Sequence, residues 1–339
     1  MCACRSRSGA LHRIDEAPAA LERRLIPDRH SKLPWYVDRL ICLDALSALR
    51  HLPDSSVDCI VTSPPYFGQR DYEIADQIGA EETPDQYIAA LISVFSECFR
   101  VLADTGSLWV NIGDKYQQLE LLGLPWQLAL SLKAAGWILR SDIIWSKPNA
   151  MPSSIKNRFT TSHEYLFFFV KSKAYYFDAD AVREPHVTFT EASKMRGGRR
   201  HFGVRGGTPE NGKNKGNSNL HDARWDQAFH PLGRNRRTVW QVPLSKFRDT
   251  HFAVFPDGLV TPCILAGTPP TGLVLDPFVG SGTTAVVARQ LGRHFVGIDC
   301  NPIYARMAAR RLQMPLPRSF EDRAARTSTN THETRRRSI

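Results

Sequence analysis

The chain has 339 residues, with 44 Lys/Arg against 34 Asp/Glu, a formal charge of +10, and seven cysteines. It contains no run of about 18 apolar residues, and its arginine-rich start has no apolar core ahead of a cleavage site, so neither a membrane span nor a secretory signal is expected. The odd, scattered cysteines argue against a disulfide framework and for a reducing, cytoplasmic setting, and Cys2 and Cys4 lack a second pair at zinc spacing, so no metal site is expected.

Residues 1–33 lack sustained apolar patterning and read as a mobile tail. Arg39-Leu40-Ile41-Cys42-Leu43-Asp44 then reads as a strand ending in a carboxylate. Asp44 precedes Ala45-Leu46-Ser47-Ala48-Leu49, so a helix cap and a ligand group are both open readings. Val57-Asp58-Cys59-Ile60-Val61-Thr62 is the next strand, and it delivers Ser63-Pro64-Pro65-Tyr66. Ser63 and Pro64 each precede a proline and are driven to extended backbone, while the prolines fix their own φ and carry no N–H. The carbonyl directions are therefore nearly frozen. An amine on a flat ring has a delocalised lone pair and attacks poorly unless acceptors hold both N–H bonds and favour a more tetrahedral nitrogen. The Ser63 hydroxyl and the Pro64 carbonyl suit that task, and Tyr66 offers a face to a base extruded from its stack. Taken alone, the tetrapeptide also reads as a proline turn closing a strand.

Tyr87, Ile88, Leu91, Ile92, Phe95 and Phe99 form the apolar stripe of a helix, followed by a buried strand over Gly106–Asp114 and a helix around Pro125–Ala135. Trp137–Trp145 and Glu164–Val170 are strand-like, joined by a connection holding Lys147-Pro148 and Asn157-Arg158-Phe159. Residues 183–237 carry 12 Lys/Arg against 5 Asp/Glu and 8 of the 22 glycines, with little hydrophobic periodicity. They read as a long flexible excursion. After Arg237-Thr238-Val239-Trp240 comes His251–Val260, in which Phe252 and Phe255, an aromatic pair at three-residue spacing, read as ordinary core.

Gly272–Thr284 reads as a strand, a tight glycine loop and the start of a helix near Thr283. Such a loop lets a ligand approach the backbone closely. The next strand, His294–Asp299, ends in a carboxylate suited to a ribose diol, and Asn301-Pro302 opens another helix. Gly280-x-Gly282-x-x-Ala285 fits a relaxed dinucleotide fingerprint, but Asp276-Pro277-Phe278 ahead of it puts a carboxylate and a ring where a pyrophosphate prefers bare N–H groups. An ammonium and a sulfonium suit these residues better. The strands at 39–44, 57–62, 272–276 and 294–299 place the cofactor half after the claw, a circular permutation of the usual order in an open parallel sheet.

These two motifs together resemble the DNA amino-methyltransferases of the β arrangement, in which S/D/N-P-P-Y precedes D-P-F-x-G-S-G-T-T; here they are Ser63–Tyr66 and Asp276–Thr284, and the resemblance spans roughly residues 36–312. It implies a doubly wound, mostly parallel α/β sheet of about seven strands and S-adenosylmethionine as cofactor. It also implies a base-site claw of Ser63, Pro64, Pro65 and Tyr66. The implied cofactor residues are Asp44, Phe255, Pro256, Asp276, Pro277, Phe278, Gly280, Ser281, Gly282, Thr283 and Asp299. Asp44 falls at the adenine end, Asp299 at the ribose and Asp276 near the methionine amine. Ser at the first claw position favours cytosine N4; adenine N6, an RNA or protein amine, and a catalytically inactive DNA-binding relative stay open. A cytosine-C5 enzyme needs a Cys nucleophile, and Pro262-Cys263 falls inside an expected helix.

The family implies that double-stranded DNA is the partner, with a cognate restriction endonuclease allowed. Residues 183–237 carry +7, while the tails 1–33 and 316–339 each carry +3, which leaves the remaining body at −3. Arg158, Arg196, Arg199, Arg200, Arg205, Lys213, Lys215, Arg234 and Arg236 are candidates for phosphate contact, giving affinity and salt dependence without sequence information. The expected organisation is a tail (1–33), a catalytic half (34–182), a recognition insertion (183–237), a cofactor half (238–314) and a second tail (315–339).

Overall fold

The computed structural model describes residues 33–69, 77–185, 232–244 and 256–314. The chain separates into two compact units, residues 1–177 with 238–339, and residues 178–237. The first unit carries ten strands among its described residues: β1 (Arg39–Ile41), β2 (Val57–Thr62), β3 (Leu102–Ile112), β4 (Tyr116–Gln117), β5 (Glu120–Leu121), β6 (Ile138–Ser146), β7 (His163–Val170), β8 (Val239–Gln241), β9 (Leu273–Asp276) and β10 (His294–Ile298). Eight of them form one sheet in the order β1-β10-β9-β2-β3-β7-β6-β8, and β4 and β5 form a separate hairpin. All neighbours in the large sheet are parallel except where β7 runs against β3 and β6.

The seven expected strands are present, and β8 adds an eighth at the edge beside β6. Three residues are too short to reveal an alternation. What holds this strand is buried Trp240 and the Trp145 Nε1 donating to the Val242 carbonyl at 2.7 Å. The central strands are buried on both faces, as parallel strands under helical layers are: every residue of β9 and every apolar residue of β2 is out of water.

Six α-helices cover the sheet among the described residues: α1 (Ala45–Arg50), α2 (Pro84–Val101), α3 (Leu124–Ala134), α4 (Asp257–Gly267), α5 (Thr283–Gln290) and α6 (Pro302–Arg311). Their starts follow from local chemistry. Thr83 and Gln86 close a reciprocal capping box ahead of α2, with Pro84 in its first turn. Asn301 accepts from the Ile303 N–H at 2.8 Å and caps α6. The stripe of α2 buries Tyr87, Leu91 and Phe95 completely, each worth roughly 2–3 kcal/mol of transfer free energy. Cys263 lies buried in α4 with its thiol donating to the Leu259 carbonyl at 3.2 Å, so it is a packing residue.

The connection from β6 to β7 occupies residues 147–162 and is closed at its base by the Lys147 N–H donating to the Ser162 carbonyl at 2.8 Å. In the second unit, Glu184 and Arg234 exchange backbone hydrogen bonds of 2.9 and 2.8 Å and pair through their side chains at 3.1 Å. Residues 1–32 and 315–339, which are the two expected tails except for residue 33, and residues 186–231 lie outside the described residues.

Candidate active site

Strand β9 pairs with β2 in parallel, and this brings Asp276, at the end of β9, beside Thr62, the residue before the claw. The Thr62 hydroxyl donates to Asp276 Oδ1 at 2.6 Å, and the Thr284 hydroxyl donates to Oδ2 at 2.7 Å. The Phe278 N–H adds a third bond at 3.0 Å. Thr284 also reaches the Val61 carbonyl at 3.3 Å. Two motifs 214 positions apart are thus fastened through one carboxylate that is 3% exposed. Burial pushes the Asp276 carboxyl up to about 6, and the two hydroxyls and the N–H oppose that shift. The group the sequence reading assigned to an ammonium is here enclosed by donors of the protein itself.

The loop after β9 needs glycine where the backbone turns left-handed: Gly280 has φ +52° and Gly282 φ +88°. A Cβ on Gly282 would sit 2.7 Å from Ala308 Cβ, so that glycine lets α6 pack close. A Cβ on Gly280 would meet nothing nearer than 3.9 Å, so open space adjoins the loop there. The Gly280 N–H donates to Asp299 Oδ2 at 2.9 Å, while Asp299 Oδ1 takes the Asn301 N–H at 2.7 Å. The enclosed carboxyl end of this half-buried residue is pushed up to about 6 by desolvation. Arg311 clamps the loop from α6: its Nη1 donates to the Ser281 carbonyl at 3.0 Å, to Ser281 Oγ at 3.1 Å and to Thr283 Oγ1 at 2.9 Å. Sequence reasoning missed Arg311, which lies in an arginine pair at the end of a helix and looks like an ordinary favourable charge at a helix C-terminus.

Strand β1 lies next to β10, so Asp44 falls at the same ends of the strands as Asp299. Its Oδ1 accepts from the Ser47 N–H at 2.9 Å, which makes it the cap of α1. Pro277 is buried and Phe278 half-buried against the core. Pro256 is buried and opens α4, its carbonyl accepting from the Leu259 N–H at 2.9 Å; Phe255 lies outside the described residues. The carboxyl ends of β1, β10 and β9 therefore present an open glycine loop, two strand-end carboxylates and a partly exposed ring, a set that fits a nucleoside bearing a charged side chain.

The claw is held from behind by a polar network the sequence reading did not include. Tyr66 donates its hydroxyl to Glu164 Oε2 at 2.6 Å. Asn111 Nδ2 reaches the Tyr66 hydroxyl at 2.9 Å, Glu164 Oε2 at 2.8 Å and Ser63 Oγ at 3.4 Å. Lys147 pairs with the other oxygen of Glu164. Desolvation, then the charge of Glu164, pushes the Tyr66 phenol well up, so it stays a donor at neutral pH. Tyr66 is half-buried as a residue while its hydroxyl end is enclosed. The Tyr87 hydroxyl takes the Pro65 carbonyl at 2.8 Å, whereas no donor among the described residues reaches the Pro64 carbonyl. The claw therefore offers two acceptors, Ser63 Oγ and the Pro64 carbonyl, and Pro65 serves to fix the turn. Asn111 was legible in part, as the one polar residue in Leu108–Ile112, but nothing local linked it to Glu164.

Of the basic residues expected at DNA, Arg158 lies with its guanidinium 3.5 Å from the centre of the Tyr116 ring. Arg234 pairs with Glu184, and Arg236 is half-buried. Arg196, Arg199, Arg200, Arg205, Lys213 and Lys215 lie outside the described residues.

A single antiparallel strand in an otherwise parallel sheet, with a claw after β2 fastened to a glycine loop after β9, defines a permuted amino-methyltransferase. The DNA methylase pattern matches residues 57–310, and the chain belongs to that family, whose members act on adenine N6 or cytosine N4. It is 44% identical over 299 residues to the type II methyltransferase M.Cfr9I of Citrobacter freundii, covering 80% of this chain and 86% of that protein. It is 41% identical over 325 residues to M.XycI of Xanthomonas campestris pv. cyanopsidis, covering 87% and 93%. Among solved structures, the cytosine-N4-specific PvuII DNA methyltransferase superposes with a TM-score of 0.58 at 20% identity, covering 80% of this chain and 85% of that one. A modification methylase of Thermus thermophilus solved with S-adenosyl-L-methionine gives 0.51 at 24% identity, covering 81% and 96%. The protein is a type II DNA methyltransferase.

Proposed function

We propose that the protein transfers a methyl group from S-adenosylmethionine to the exocyclic N4 amine of cytosine flipped out of duplex DNA. The observation that carries this reading is the joint at Asp276, which sets the Ser63 claw directly beside the Asp276–Thr284 loop. When bound, S-adenosylmethionine supplies an electrophilic methyl on a sulfonium. The Gly280–Thr283 loop, Asp299 and Phe278 would hold it, with Asp44 at the far end of the cleft. Ser63 Oγ and the Pro64 carbonyl accept the two N–H bonds of the target amine and turn its lone pair out of the ring plane. The Tyr66 ring stacks on the base, and Asn111 and Glu164 fix the position of its hydroxyl end. Alignment supplies most of the rate, because a pre-activated donor and a positioned nucleophile need no covalent intermediate on the protein.

Cytosine is favoured over adenine by the serine in the first claw position and by the cytosine-N4 specificity named for the PvuII neighbour. The test is to express the full chain in a host without endogenous modification, hydrolyse its DNA to nucleosides and separate them by mass spectrometry. N4-methyl-2′-deoxycytidine is the expected product. N6-methyl-2′-deoxyadenosine would replace cytosine by adenine and leave the rest of the site reading intact.

A further inference from the structure

The loop joining β6 to β7 is fixed at several points and yet leaves its largest side chains in water. Asn149 exchanges hydrogen bonds with Leu244, its Oδ1 accepting the Leu244 N–H at 2.8 Å and its Nδ2 donating to the Leu244 carbonyl at 3.3 Å. At the other end the Arg158 guanidinium lies on the Tyr116 ring of the β4–β5 hairpin. Between and beside these anchors Phe159 is 96% exposed and Met151 81%. The hairpin adds Leu119, 86% exposed and held at φ +69°, a left-handed conformation that costs a leucine about 1–2 kcal/mol. Large apolar side chains left in water on an anchored backbone point to a partner for them.

The position and charge of this rim select the partner. The base of the loop is Lys147, which pairs with Glu164, and Glu164 accepts from Tyr66 of the claw. The rim is thus continuous with the network that would hold the target ring. Lys156 and Arg158 precede Phe159 by three positions and one. An apolar tip next to two cations, on a loop whose base joins the claw network, matches the interior of a nucleic-acid stack bordered by phosphates.

We infer that Phe159, assisted by Leu119, is a wedge that enters the DNA stack and fills the gap left by the target base. This rests on the base-flipping reading above. The wedge does no chemistry; it lowers the cost of extrusion by replacing lost stacking with an aromatic surface. Its effect should therefore vanish when the target is already unpaired.

The experiment uses the full chain and two duplexes carrying the site identified by modified-base sequencing of the host's DNA. One duplex is fully paired, and the other has the target base mispaired. Single-turnover methyl transfer is measured for wild type, Phe159→Ala, Phe159→Trp and Leu119→Ala. Phe159→Ala should slow transfer on the paired duplex roughly tenfold to a hundredfold, as expected for losing part of the extrusion energy. It should run within about twofold of wild type on the mispaired duplex. Phe159→Trp should keep the wild-type rate on both, and Leu119→Ala should repeat the Phe159→Ala pattern at smaller amplitude. An unchanged paired rate for Phe159→Ala overturns the wedge, as does an equal loss on both duplexes, which would mark a contact to the base or backbone. Thermal melting of Phe159→Ala guards against misfolding, and so exposed a side chain should leave it unchanged. A wild type inactive on every duplex overturns the DNA reading and the wedge with it.

Discussion

Two residues separate binding from chemistry. Ser63 offers one of two acceptors to the reacting amine, so Ser63→Ala should lower kcat roughly 10²-fold, the scale for removing one preorganised hydrogen bond at a reacting centre. Cofactor affinity, read by calorimetry, should stay near wild type. A protein that instead loses its fold would mean that Ser63 belongs to the turn and not to the reaction. Asp276 makes a second, pH-dependent prediction. Its folded-state value, about 6, lies above its ordinary 3.8, so its contribution to stability is full below about pH 4 and is lost as pH rises through about 6. At neutral pH the buried charge costs on the order of 3 kcal/mol. Asp276→Asn keeps the shape and removes the charge. Melting followed from pH 4 to 8 without cofactor should show the variant gaining on wild type between pH 4 and 6 and holding its lead above. A gap that did not change with pH would rule out a raised carboxyl. In the sequence Ser63 and Asp276 announce themselves by their motifs, whereas Glu164 and Lys147 do not, because each is a lone charge at a strand end and their meeting is made by the β6–β7 pairing.

At the level of elements, the sheet was largely legible because its central strands are continuous apolar runs and its helices carry caps and proline starts. The edge was not: β8 is three residues long and owes its place to the Trp145–Val242 bond, a tertiary contact with no local signature. Asp44 shows why strand-end carboxylates are ambiguous, since capping α1 and facing a ligand call for the same residue in the same position. The clamp of α6 on the glycine loop gives a third prediction. Arg311→Met keeps most of the aliphatic stem and removes three hydrogen bonds to Ser281 and Thr283. The dissociation constant for S-adenosylmethionine should rise about tenfold to a hundredfold, the scale of one to three lost charged hydrogen bonds. At saturating cofactor, kcat should recover to within a few-fold of wild type. A loss of kcat at saturation would place Arg311 in the chemistry and not in shaping the loop.

At the scale of the whole molecule, charge and catalysis occupy different parts of the chain. The rest of the chain is slightly acidic in sequence, while residues 183–237 and the two tails carry the positive excess. DNA affinity should therefore fall steeply with salt, and each basic residue in 194–215 replaced by Gln that had touched a phosphate should reduce the log–log slope by about 0.9. Fluorescence anisotropy of a labelled duplex between 50 and 300 mM salt measures it. A slope unchanged by replacing Arg196, Arg199, Arg200 and Arg205 together would assign the electrostatic contact to another surface. Glu164 and Thr62 escaped the sequence reading, and Asn111 was legible only in part, for the opposite reason to these arginines: their partners are far along the chain, so only the completed sheet reveals them.

The seat of β9 between β2 and β10 has a consequence for birth on the ribosome. Because β2 is made early and its neighbour is the last but one strand of the sheet, the nascent polypeptide displays a naked apolar margin until residue 276 emerges. At about 5–20 residues per second that interval lasts roughly 10–40 s. An unpaired strand border of this kind invites sticking to other chains, so cellular yield should depend on chaperone holding during synthesis more than on the endpoint stability of the finished enzyme.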